Sequence, residues 1–481
     1  MSRTVVIAGG GPTGLMLAGE LALAGVSAVV LEPRTERAEH SRGMAVHGRS
    51  LELLEQRGLA DELREQGMFP WPRTPFAFLW LDMDSVGAED YTYGMPQWRT
   101  ERLLERHAIE LGAEVRHGHT VVGFEQTADE VTVTVRSDDG EYELSAAYLV
   151  GCDGENSTVR ELAGIGRLDH EVSSYYGVLG DVEVREGEQF DAGLHPAGVF
   201  GAIPIGPGTL RFMTIEFDAR PDLADGPVTE AELSASIERV AGRAPRIERA
   251  QYLARFGGPS TVAERFRDGR VFLVGDAAHV SFVSGTQGLN AGLQDAVNLG
   301  WKLAAELKGH APEGLLDTYH AERYPAAVQA CAHARAQMAL MHPLTKVEPL
   351  RKLFGELLRF EEVNRHLLRL PTAARHPEPA PGDHPLVGRR IGGVSLLTAD
   401  GETSVAQTLR PGRGVLLSFA EEAATTVAGW RDRVDTVTAK AVAEIDASVV
   451  LLRPDGCVAY AGEDTDALER ALRTWFGEPG R

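Results

Sequence analysis

The chain has 481 residues, which is too long for one hydrophobic core and predicts two or three domains. Its formal net charge of -22 argues against nonspecific nucleic-acid binding, which needs an excess of Lys and Arg. The three cysteines, Cys152, Cys331 and Cys457, are far apart and form no Cys-x-x-Cys motif, so we expect no disulfide framework, no metal site and no dithiol redox centre. No run approaches the ~20 apolar residues of a membrane span, and we expect a cytoplasmic location.

The first predicted elements are a strand, a turn, a helix and a second strand. Residues 4–8 are apolar and β-branched, as in a buried strand, and residues 15–24 have helical composition. Gly25 stands where a helix ends in a left-handed residue, and residues 26–31 form the second strand. This order is a β-turn-α-β unit.

The pattern changes at about residue 172. Before it, helices alternate with strands and a hairpin, which are predicted at residues 49–57, 99–111, 120–127, 130–136 and 148–151. Residues 172–258 contain one clear helix and otherwise strands; the helix is predicted at residues 230–240 and the strands at 175–184, 198–205, 210–217 and 251–256. A run of strands inside an alternating pattern indicates a β-rich layer inserted into the first domain, and we assign part of residues 70–98 to it.

Two long helices and a proline-rich segment follow. The helices are predicted at residues 290–308 and 327–341, and five prolines within residues 371–385 indicate a linker. Beyond the linker we predict strands at residues 415–419, 434–438, 448–453 and 458–461 and helices at 421–433 and 464–476. We therefore divide the chain into a nucleotide-binding domain with a helical extension (1–171 and 259–370), the β-rich layer (172–258), the linker (371–385) and a C-terminal domain (386–481).

A glycine loop, Gly9-Gly10-Gly11-Pro12-Thr13-Gly14, joins the first strand to the first helix and satisfies G-x-G-x-x-G. In this context Gly9 permits a tight turn, Gly11 lets the backbone approach a pyrophosphate, and Gly14 lets the helix pack on the strand. Glu32 follows at the spacing of a carboxylate that hydrogen-bonds ribose hydroxyls, which favours FAD or NAD over NADP. A glycine-rich turn that binds nothing is the alternative.

A second motif lies nearly a domain away and runs from Val274-Gly275-Asp276-Ala277-Ala278-His279 to Gly288-Leu289-Asn290. Asp276 follows a buried strand predicted at residues 271–274, where a carboxylate is costly unless it has a partner. An ordinary strand end and helix cap would explain these residues separately. Together with the glycine loop, however, they predict that two ends of one dinucleotide are held.

In combination, these motifs resemble the FAD sites of the flavoprotein aromatic hydroxylases, which have the p-hydroxybenzoate hydroxylase fold. Within that family the chain is most similar to the actinomycete polyketide hydroxylases and the rifampicin monooxygenases. The resemblance implies that the whole glycine loop, including Pro12 and Thr13, contacts FAD, together with further residues at both ends of the cofactor: Glu32, Arg34, Arg42, Gln97, Asp153, Asp276, and backbone groups of Gly288, Leu289 and Asn290. Read alone, Asp153-Gly154 is only a turn, and Arg42 and Gln97 are only surface groups.

The resemblance also implies the fold and the activity. The fold would be α/β, with a Rossmann-like FAD-binding domain, an inserted β-rich substrate domain and a C-terminal thioredoxin-like domain that lacks Cys-x-x-Cys and has a structural or dimer-forming role. The activity would be that of a monooxygenase with non-covalent FAD, which consumes NADPH or NADH and O₂ and hydroxylates a polycyclic phenol or quinone of the aromatic polyketide type through a flavin C4a-hydroperoxide. No catalytic side chain is predicted, because His279, the histidine nearest to the flavin motif, shows no partner in the sequence.

Three alternatives stay open. The first is a flavin monooxygenase that catalyses a Baeyer–Villiger oxygenation or an epoxidation instead of a hydroxylation. The second is an NAD-dependent dehydrogenase, and the third is a non-catalytic flavin-binding protein. The chain also departs from the family pattern, since Phe282 and Val283 replace two prolines and Thr286 replaces a glycine. Because proline fixes φ, we expect these changes to affect flavin movement and coupling but not cofactor binding.

Overall fold

The computed structural model describes residues 3–87, 90–169, 175–218, 226–258, 260–281, 287–370, 384–419, 427–440, 442 and 445–480. A six-stranded sheet forms the centre of the first domain, and all its neighbouring strands are parallel except for one edge pair. In spatial order the strands are Arg267–Asp268, Val271–Leu273, Tyr148–Gly151, Val5–Ala8, Ala28–Glu32 and Glu114–His117. The strand that precedes the glycine loop thus lies at the middle of a Rossmann-like sheet, where ligands of such sheets bind beyond the carboxyl ends.

Helices and a small antiparallel sheet cover this central sheet. The helices of the first domain are Pro12–Leu23, Gly48–Glu55, Ala60–Glu65, Gln97–Glu110, Thr158–Leu162 and Gln287–Lys308. The small sheet consists of Thr120–Gln126, Val131–Ser137 and Gly140–Ala146. Its middle strand buries Val131, Val133 and Val135 on one face, which is the alternation that the sequence predicted for a hairpin.

The β-rich layer is a five-stranded antiparallel sheet. Its spatial order is Gly193–His195, Gly198–Gly206, Thr209–Phe217, Tyr175–Val184 and Ile247–Gly257. One face buries Val178 and Phe212 against the helix Glu230–Ala241. The other face buries Leu179 and Ile215 together with Phe76, from the segment that precedes residue 98.

Short strands connect the layers. One small sheet consists of Ala45–His47, Thr92–Gly94 and Phe69–Pro70, and a second is the hairpin of Arg73–Phe76 and Leu79–Asp82. A third consists of Arg167–Asp169, Thr261–Ala263 and His279–Val280. Beyond the central sheet the chain forms the helices Asp317–Ala339, Leu344–Leu357 and Glu361–Arg369. Within the described ranges, no helix is long and apolar enough to cross a membrane.

The C-terminal domain is thioredoxin-like, as predicted. Its sheet has the order Val434–Thr438, Gly414–Ser418, Val449–Leu452 and Val458–Gly462, and the helix Thr465–Phe476 packs on one face. A hairpin of Ser395–Thr398 and Gly401–Ser404 leads into the short helix Val405–Thr408.

Two predicted helices differ from the structure. The helix predicted at residues 327–341 begins ten residues earlier, at Asp317, and runs through Pro325. In the part of the helix before this proline, the Tyr319 hydroxyl donates to the Leu273 carbonyl oxygen (2.8 Å), which anchors the helix to the central sheet. The prediction of a helix at residues 421–433 is wrong for its described part, where the structure has only the 3₁₀ turn Ala428–Trp430. The first residues of this predicted helix lie outside the described ranges.

A buried group of charges joins the C-terminal domain to the first domain. It contains Asn298, Lys302 and Glu322 from the two long helices and Arg453 and Asp455 from a turn of the C-terminal domain, and none of these residues is more than 4% exposed. Arg453 donates to both carboxylate oxygens of Glu322 (2.7 and 3.0 Å), and the Lys302 ammonium group lies 2.9 Å from the same carboxylate. We call these five residues the interdomain ion cluster.

A second ion pair reinforces this interface. Arg57 binds the Glu20 carboxylate, and its guanidinium also donates to the backbone carbonyls of Leu409 (3.0 Å) and Pro454 (3.1 Å). Charges that are buried without partners are strongly destabilising, so the first domain and the C-terminal domain depend on each other for these contacts.

Replacing Arg453 by Met should therefore destabilise the whole chain. The change removes a cation that binds both the Glu322 and the Asp455 carboxylates, and breaking a buried pair in this way costs about 3–5 kcal/mol. The free energy of unfolding, measured in urea, checks this. The matched control is Arg136→Met, whose pair with Glu141 is exposed and should contribute less than about 1 kcal/mol. Equal stabilities of the two variants would contradict the role of the cluster.

Candidate cofactor site

The glycine loop combines two crowded positions with an open one. A Cβ atom at Gly9, where φ is +101°, would lie 2.4 Å from the Cys152 carbonyl oxygen, and one at Gly14 would lie 2.1 Å from the Gly9 carbonyl oxygen. A Cβ atom at Gly11 would have no described atom within 4 Å. The loop is thus tightly packed on the sheet side and open in front of Gly11, which is the arrangement that a pyrophosphate requires.

The helix that starts at Pro12 leaves its N-terminal amides free. Gly11 is its N-cap residue, no side chain caps it, and its first turn contains no acidic residue. Unpaired amides and the helix dipole together favour an anion at this end.

Glu32 is buried beside the loop and is bound by protein donors. Its carboxylate accepts hydrogen bonds from the Gly10 amide (2.8 Å) and from the amide (3.1 Å) and Nε (2.7 Å) of Arg34. Burial alone would raise the pKa of Glu32, but these donors and the Arg34 charge keep it below its usual value. Arg34 is thereby fixed at the edge of the site, with half of its side chain exposed.

Arg37 also contacts the loop and was missed by the sequence analysis. Its Nη1 donates to the Gly10 carbonyl oxygen (2.6 Å), its Nε donates to Glu105 (2.6 Å), and its buried Nη2 has no partner among the described residues. The only signal in the sequence is its place five residues after Glu32, which is too weak to distinguish it from a surface arginine.

The second motif meets the glycine loop at Thr13. Cβ atoms built at Gly275 and Gly292 would lie 2.8 and 2.3 Å from the Thr13 hydroxyl oxygen. Gly275 belongs to the 3₁₀ turn Gly275–Ala277, and Gly292 belongs to the helix Gln287–Lys308. The two motifs that the sequence analysis paired are therefore in contact, although more than 260 residues separate them in the chain.

Asp276 has one open side next to this junction. Its side chain is exposed, and its Oδ1 lies 3.2 Å from where a Cβ atom of Gly288 would be. The surrounding protein raises the pKa of Asp276, and the positive charges of His279 and Arg42 act in the opposite direction. Burial also raises the pKa of Glu155, and the Arg42 charge opposes this shift. Asp276, Arg42 and Glu155 therefore share one electrostatic environment.

The loop that carries Arg42 is held by the β-rich layer. Arg211 donates from Nη1 to the Arg42 carbonyl oxygen and from Nη2 to the Ser41 carbonyl oxygen (2.7 Å each), and it forms a buried bidentate pair with Asp181 (2.7 and 2.8 Å). The Arg42 side chain itself is exposed. The bonds from Arg211 to two backbone carbonyl groups therefore fix the direction of this loop. They do not involve the Arg42 guanidinium.

Gln97 and Asp153 each make a local side-chain contact. The Gln97 side chain donates to Glu101 (2.8 Å), and its Oε1 lies 2.3 Å from where a Cβ atom of Gly43 would be, so it adjoins the Arg42 loop. The Oδ2 of Asp153 accepts from the Val159 amide (3.0 Å), its buried Oδ1 has no partner among the described residues, and burial raises its pKa. Nearby, Arg160 donates to the Ala277 carbonyl oxygen (3.1 Å), which joins the Asp-Gly segment to the second motif.

Asn290 stabilises the start of the long helix with its side chain. It accepts from the His47 amide (2.8 Å) and donates to the Ala45 carbonyl oxygen (3.2 Å), so both polar atoms of the side chain have protein partners. The helix begins at Gln287. Phe282, Val283 and Thr286 lie outside the described residues.

His279 does have a partner. Its Nε2 lies 2.6 Å from the Asp295 carboxylate, which also binds Arg323 (2.5 Å) and accepts from the Gly275 amide (3.2 Å). Burial would raise the pKa of Asp295, but Arg323 and His279 outweigh it and hold it at about 2. Asp295 thus fixes the turn that carries Asp276, and the sequence could not reveal this because these contacts span up to 28 residues.

Asp295→Asn should destabilise the chain by about 3–5 kcal/mol, because Arg323 loses its buried counter-charge. The pKa of about 2 lies below the ordinary 3.8, so the carboxylate contributes fully above about pH 4 and its contribution is lost as the pH falls towards about 2. The difference in unfolding free energy between wild type and variant should therefore be constant near neutral pH and shrink in that acidic range. A difference that does not change with pH there would show that the carboxylate charge has no such role.

Comparisons with known proteins agree with this geometry. Residues 2–334 match the family model of the FAD binding domain, and residues 384–479 match that of the aromatic-ring hydroxylase C-terminal domain. The chain is 43% identical to a 12-dehydrotetracycline 5-monooxygenase/anhydrotetracycline 6-monooxygenase of Streptomyces rimosus, with 100% of both chains covered. It is 42% identical to a rifampicin monooxygenase of Streptomyces venezuelae, with 98% of both covered.

A solved structure gives the same result. The anhydrotetracycline hydroxylase OxyS from Streptomyces rimosus superposes with a TM-score of 0.92 at 42% identity, and the match covers 100% of both chains. The predicted resemblance and fold class are therefore confirmed. The chain belongs to the FAD-dependent aromatic-ring hydroxylases, among the actinomycete polyketide hydroxylases, and is a FAD-dependent monooxygenase.

Proposed function

We propose that this enzyme uses NADPH or NADH and O₂ to hydroxylate a polycyclic phenol or quinone of the aromatic polyketide type. The observation that carries the proposal is the junction at Thr13, where the open glycine loop meets the turn of Asp276 and the long helix. These elements could hold both ends of one FAD molecule. The names of the relatives, which act on anhydrotetracycline and rifampicin, support a large aromatic substrate.

In this proposal the pyrophosphate binds in front of Gly11, on the free amides of Thr13 and Gly14. Glu32 and Arg34 then lie beside the adenosine ribose. Asp276 lies along the sugar chain, and the first amides of the helix Gln287–Lys308 face the flavin. Amides at a helix N-terminus stabilise the negative charge that a reduced flavin carries.

Bound FAD would accept two electrons from NAD(P)H and activate O₂, so that one oxygen atom enters the ring and the other leaves as water. The protein's part is to bind, to orient and to exclude water. Arg42 provides a positive charge at the entrance of the proposed cofactor site. The hydrogen bond from Arg211 to the Arg42 carbonyl oxygen holds its backbone in place. The buried Asp295 cluster keeps Asp276 in position without itself facing the open side.

The recess beside Gln287 is too small to support a substrate assignment, because it encloses only about 30 Å³ and is lined by polar and apolar residues in similar number. The substrate class is therefore supported by the names of the relatives. A Baeyer–Villiger oxygenation or an epoxidation would use the same elements, and only the product distinguishes these reactions from hydroxylation.

Gly11→Val should abolish FAD retention, because its side chain fills the space in front of the helix amides. Asp276→Ala should weaken FAD binding less, since it removes one polar contact. FAD released per protein on denaturation, together with the dissociation constant for added FAD, measures both effects. The control is Gly393→Val, at an exposed position where a Cβ atom would also meet nothing within 4 Å. Full FAD content in Gly11→Val would exclude the proposed pyrophosphate position.

Turnover is tested with the FAD-loaded enzyme and a panel of polycyclic phenols and quinones. We expect NADPH or NADH oxidation that the correct substrate stimulates, and one atom of ¹⁸O from labelled O₂ in the product. Mass and fragmentation separate an added hydroxyl group from an ester or an epoxide. A yellow protein that never oxidises NAD(P)H with any panel member would refute the proposal and favour a non-catalytic flavin protein.

A further inference from the structure

The backbone of Gly10, in the glycine loop, is bound on both sides by side chains. Its amide donates to the Glu32 carboxylate (2.8 Å), and its carbonyl oxygen accepts from Nη1 of Arg37 (2.6 Å). Both side chains come from more than 20 residues later in the chain. Contacts from outside the loop therefore fix the orientation of the peptide groups on either side of Gly10.

The contact with Arg37 also sets the direction of the Gly11 amide. The Gly10 carbonyl and the Gly11 amide belong to one peptide unit, which is planar and trans, so the two groups point in opposite directions. In the described part of the chain, no group accepts a hydrogen bond from the Gly11 amide, and a Cβ atom at Gly11 would have no atom within 4 Å. Because Arg37 binds the carbonyl oxygen, the amide points away from Arg37 and is free for a ligand.

Arg37 is itself held in a fixed position. Its Nε donates to one carboxylate oxygen of Glu105 (2.6 Å), and Nε2 of His117 lies 2.7 Å from the other oxygen. The side chains of Arg37 and Glu105 are only 13% and 14% exposed. Burial would raise the pKa of Glu105, but the bonds with Arg37 and His117 outweigh it and lower this pKa. Glu105 is therefore a charged anchor for the guanidinium near neutral pH.

The guanidinium of Arg37 lies against Gly10 although one of its donors stays unpaired. Its buried Nη2 has no hydrogen-bond partner among the described residues, and an unpaired buried donor is costly. A Cβ atom at Gly10 would lie 3.3 Å from this Nη2 and 3.0 Å from the Glu32 carboxylate. Any residue larger than glycine would thus crowd both groups that hold the loop, which shows how closely Arg37 is fitted to Gly10.

We propose that Arg37 is a positioning residue for FAD, which acts through the Gly10 carbonyl group to direct the Gly11 amide at the pyrophosphate. The Glu105 carboxylate and the His117 ring keep the guanidinium in place. This inference rests on the proposed function, which places the pyrophosphate in front of Gly11. It adds a residue that sets the affinity for the cofactor without contacting it.

The test compares ligands with and without a pyrophosphate. FAD release from the diluted holoenzyme, followed by flavin fluorescence, gives the dissociation constant of FAD, and competition with FAD gives those of ADP and adenosine. We expect Arg37→Met to weaken FAD and ADP binding about tenfold, as for the loss of one oriented hydrogen bond, and adenosine binding by less than about threefold. Arg37→Lys keeps a donor and a positive charge and should recover part of the ADP affinity.

Two further variants complete the series. Arg106→Met removes an arginine from an exposed pair with Glu62, on the helix that carries Glu105, and should bind all three ligands as wild type. Glu105→Gln keeps Arg37 but removes the charge that anchors it, and should weaken ADP binding about threefold. Should Arg37→Met yield no folded protein, Arg37→Lys and Glu105→Gln decide.

The proposal is overturned if Arg37→Met weakens ADP and adenosine equally, because a loosened fold affects both ligands. Wild-type ADP affinity in every folded variant of Arg37 and Glu105 would also overturn it. These failures differ from a failure of the proposed function. Selective loss of ADP affinity, in an enzyme that oxygenates no phenol, would leave the role of Arg37 standing and refute the activity. An enzyme that hydroxylates a phenol while Arg37→Met binds FAD and ADP as wild type would leave the activity standing and refute the role of Arg37.

Discussion

The structure depends on a close approach of two helices that are far apart in the sequence. The helix Pro12–Leu23 packs against Gln287–Lys308 at Gly292, where a Cβ atom would lie 2.3 Å from the Thr13 hydroxyl oxygen, and at Gly300, where one would lie 2.6 Å from the Glu20 Cβ. Glycine at both positions lets the backbones meet. This contact places the N-termini of the two helices side by side. In the binding mode that we propose, these two helix ends serve opposite ends of one FAD molecule.

Buried charges keep that approach in register. Near the N-termini, Asp295 ties the long helix to the Gly275 amide and to Arg323, and farther along the same helix the interdomain ion cluster ties it to the C-terminal domain. The C-terminal domain, which lacks the cysteines of a redox thioredoxin, thus supports the helix that we assign to the flavin. The C-terminal domain also accepts a hydrogen bond from Arg57 at the Pro454 carbonyl oxygen. Because Arg57 binds Glu20, this contact also supports the first helix, Pro12–Leu23.

Local patterns predicted most of the fold and the glycine loop. The strand at Tyr175–Val184 and the roles of Gly9, Gly11 and Gly14 follow from periodicity and motif context, because each depends on neighbours in the sequence. Arg37, Arg211 and the partner of His279 could not be predicted, since their contacts join residues up to 170 positions apart. The helix through Pro325 was predicted to start too late, because a proline usually marks a helix boundary in the sequence.

The most direct test of this account is a double-mutant cycle at the helix contact. Gly292→Ala should lower FAD affinity, because its Cβ pushes against Thr13, and Thr13→Ala should lower it by removing one hydroxyl group. Together, the two changes should cost less FAD affinity than the sum of the single effects, since the smaller residue 13 makes room for the new methyl group. Additive losses, or a Gly292→Ala variant that binds FAD as wild type, would contradict the claim that this contact forms the cofactor site.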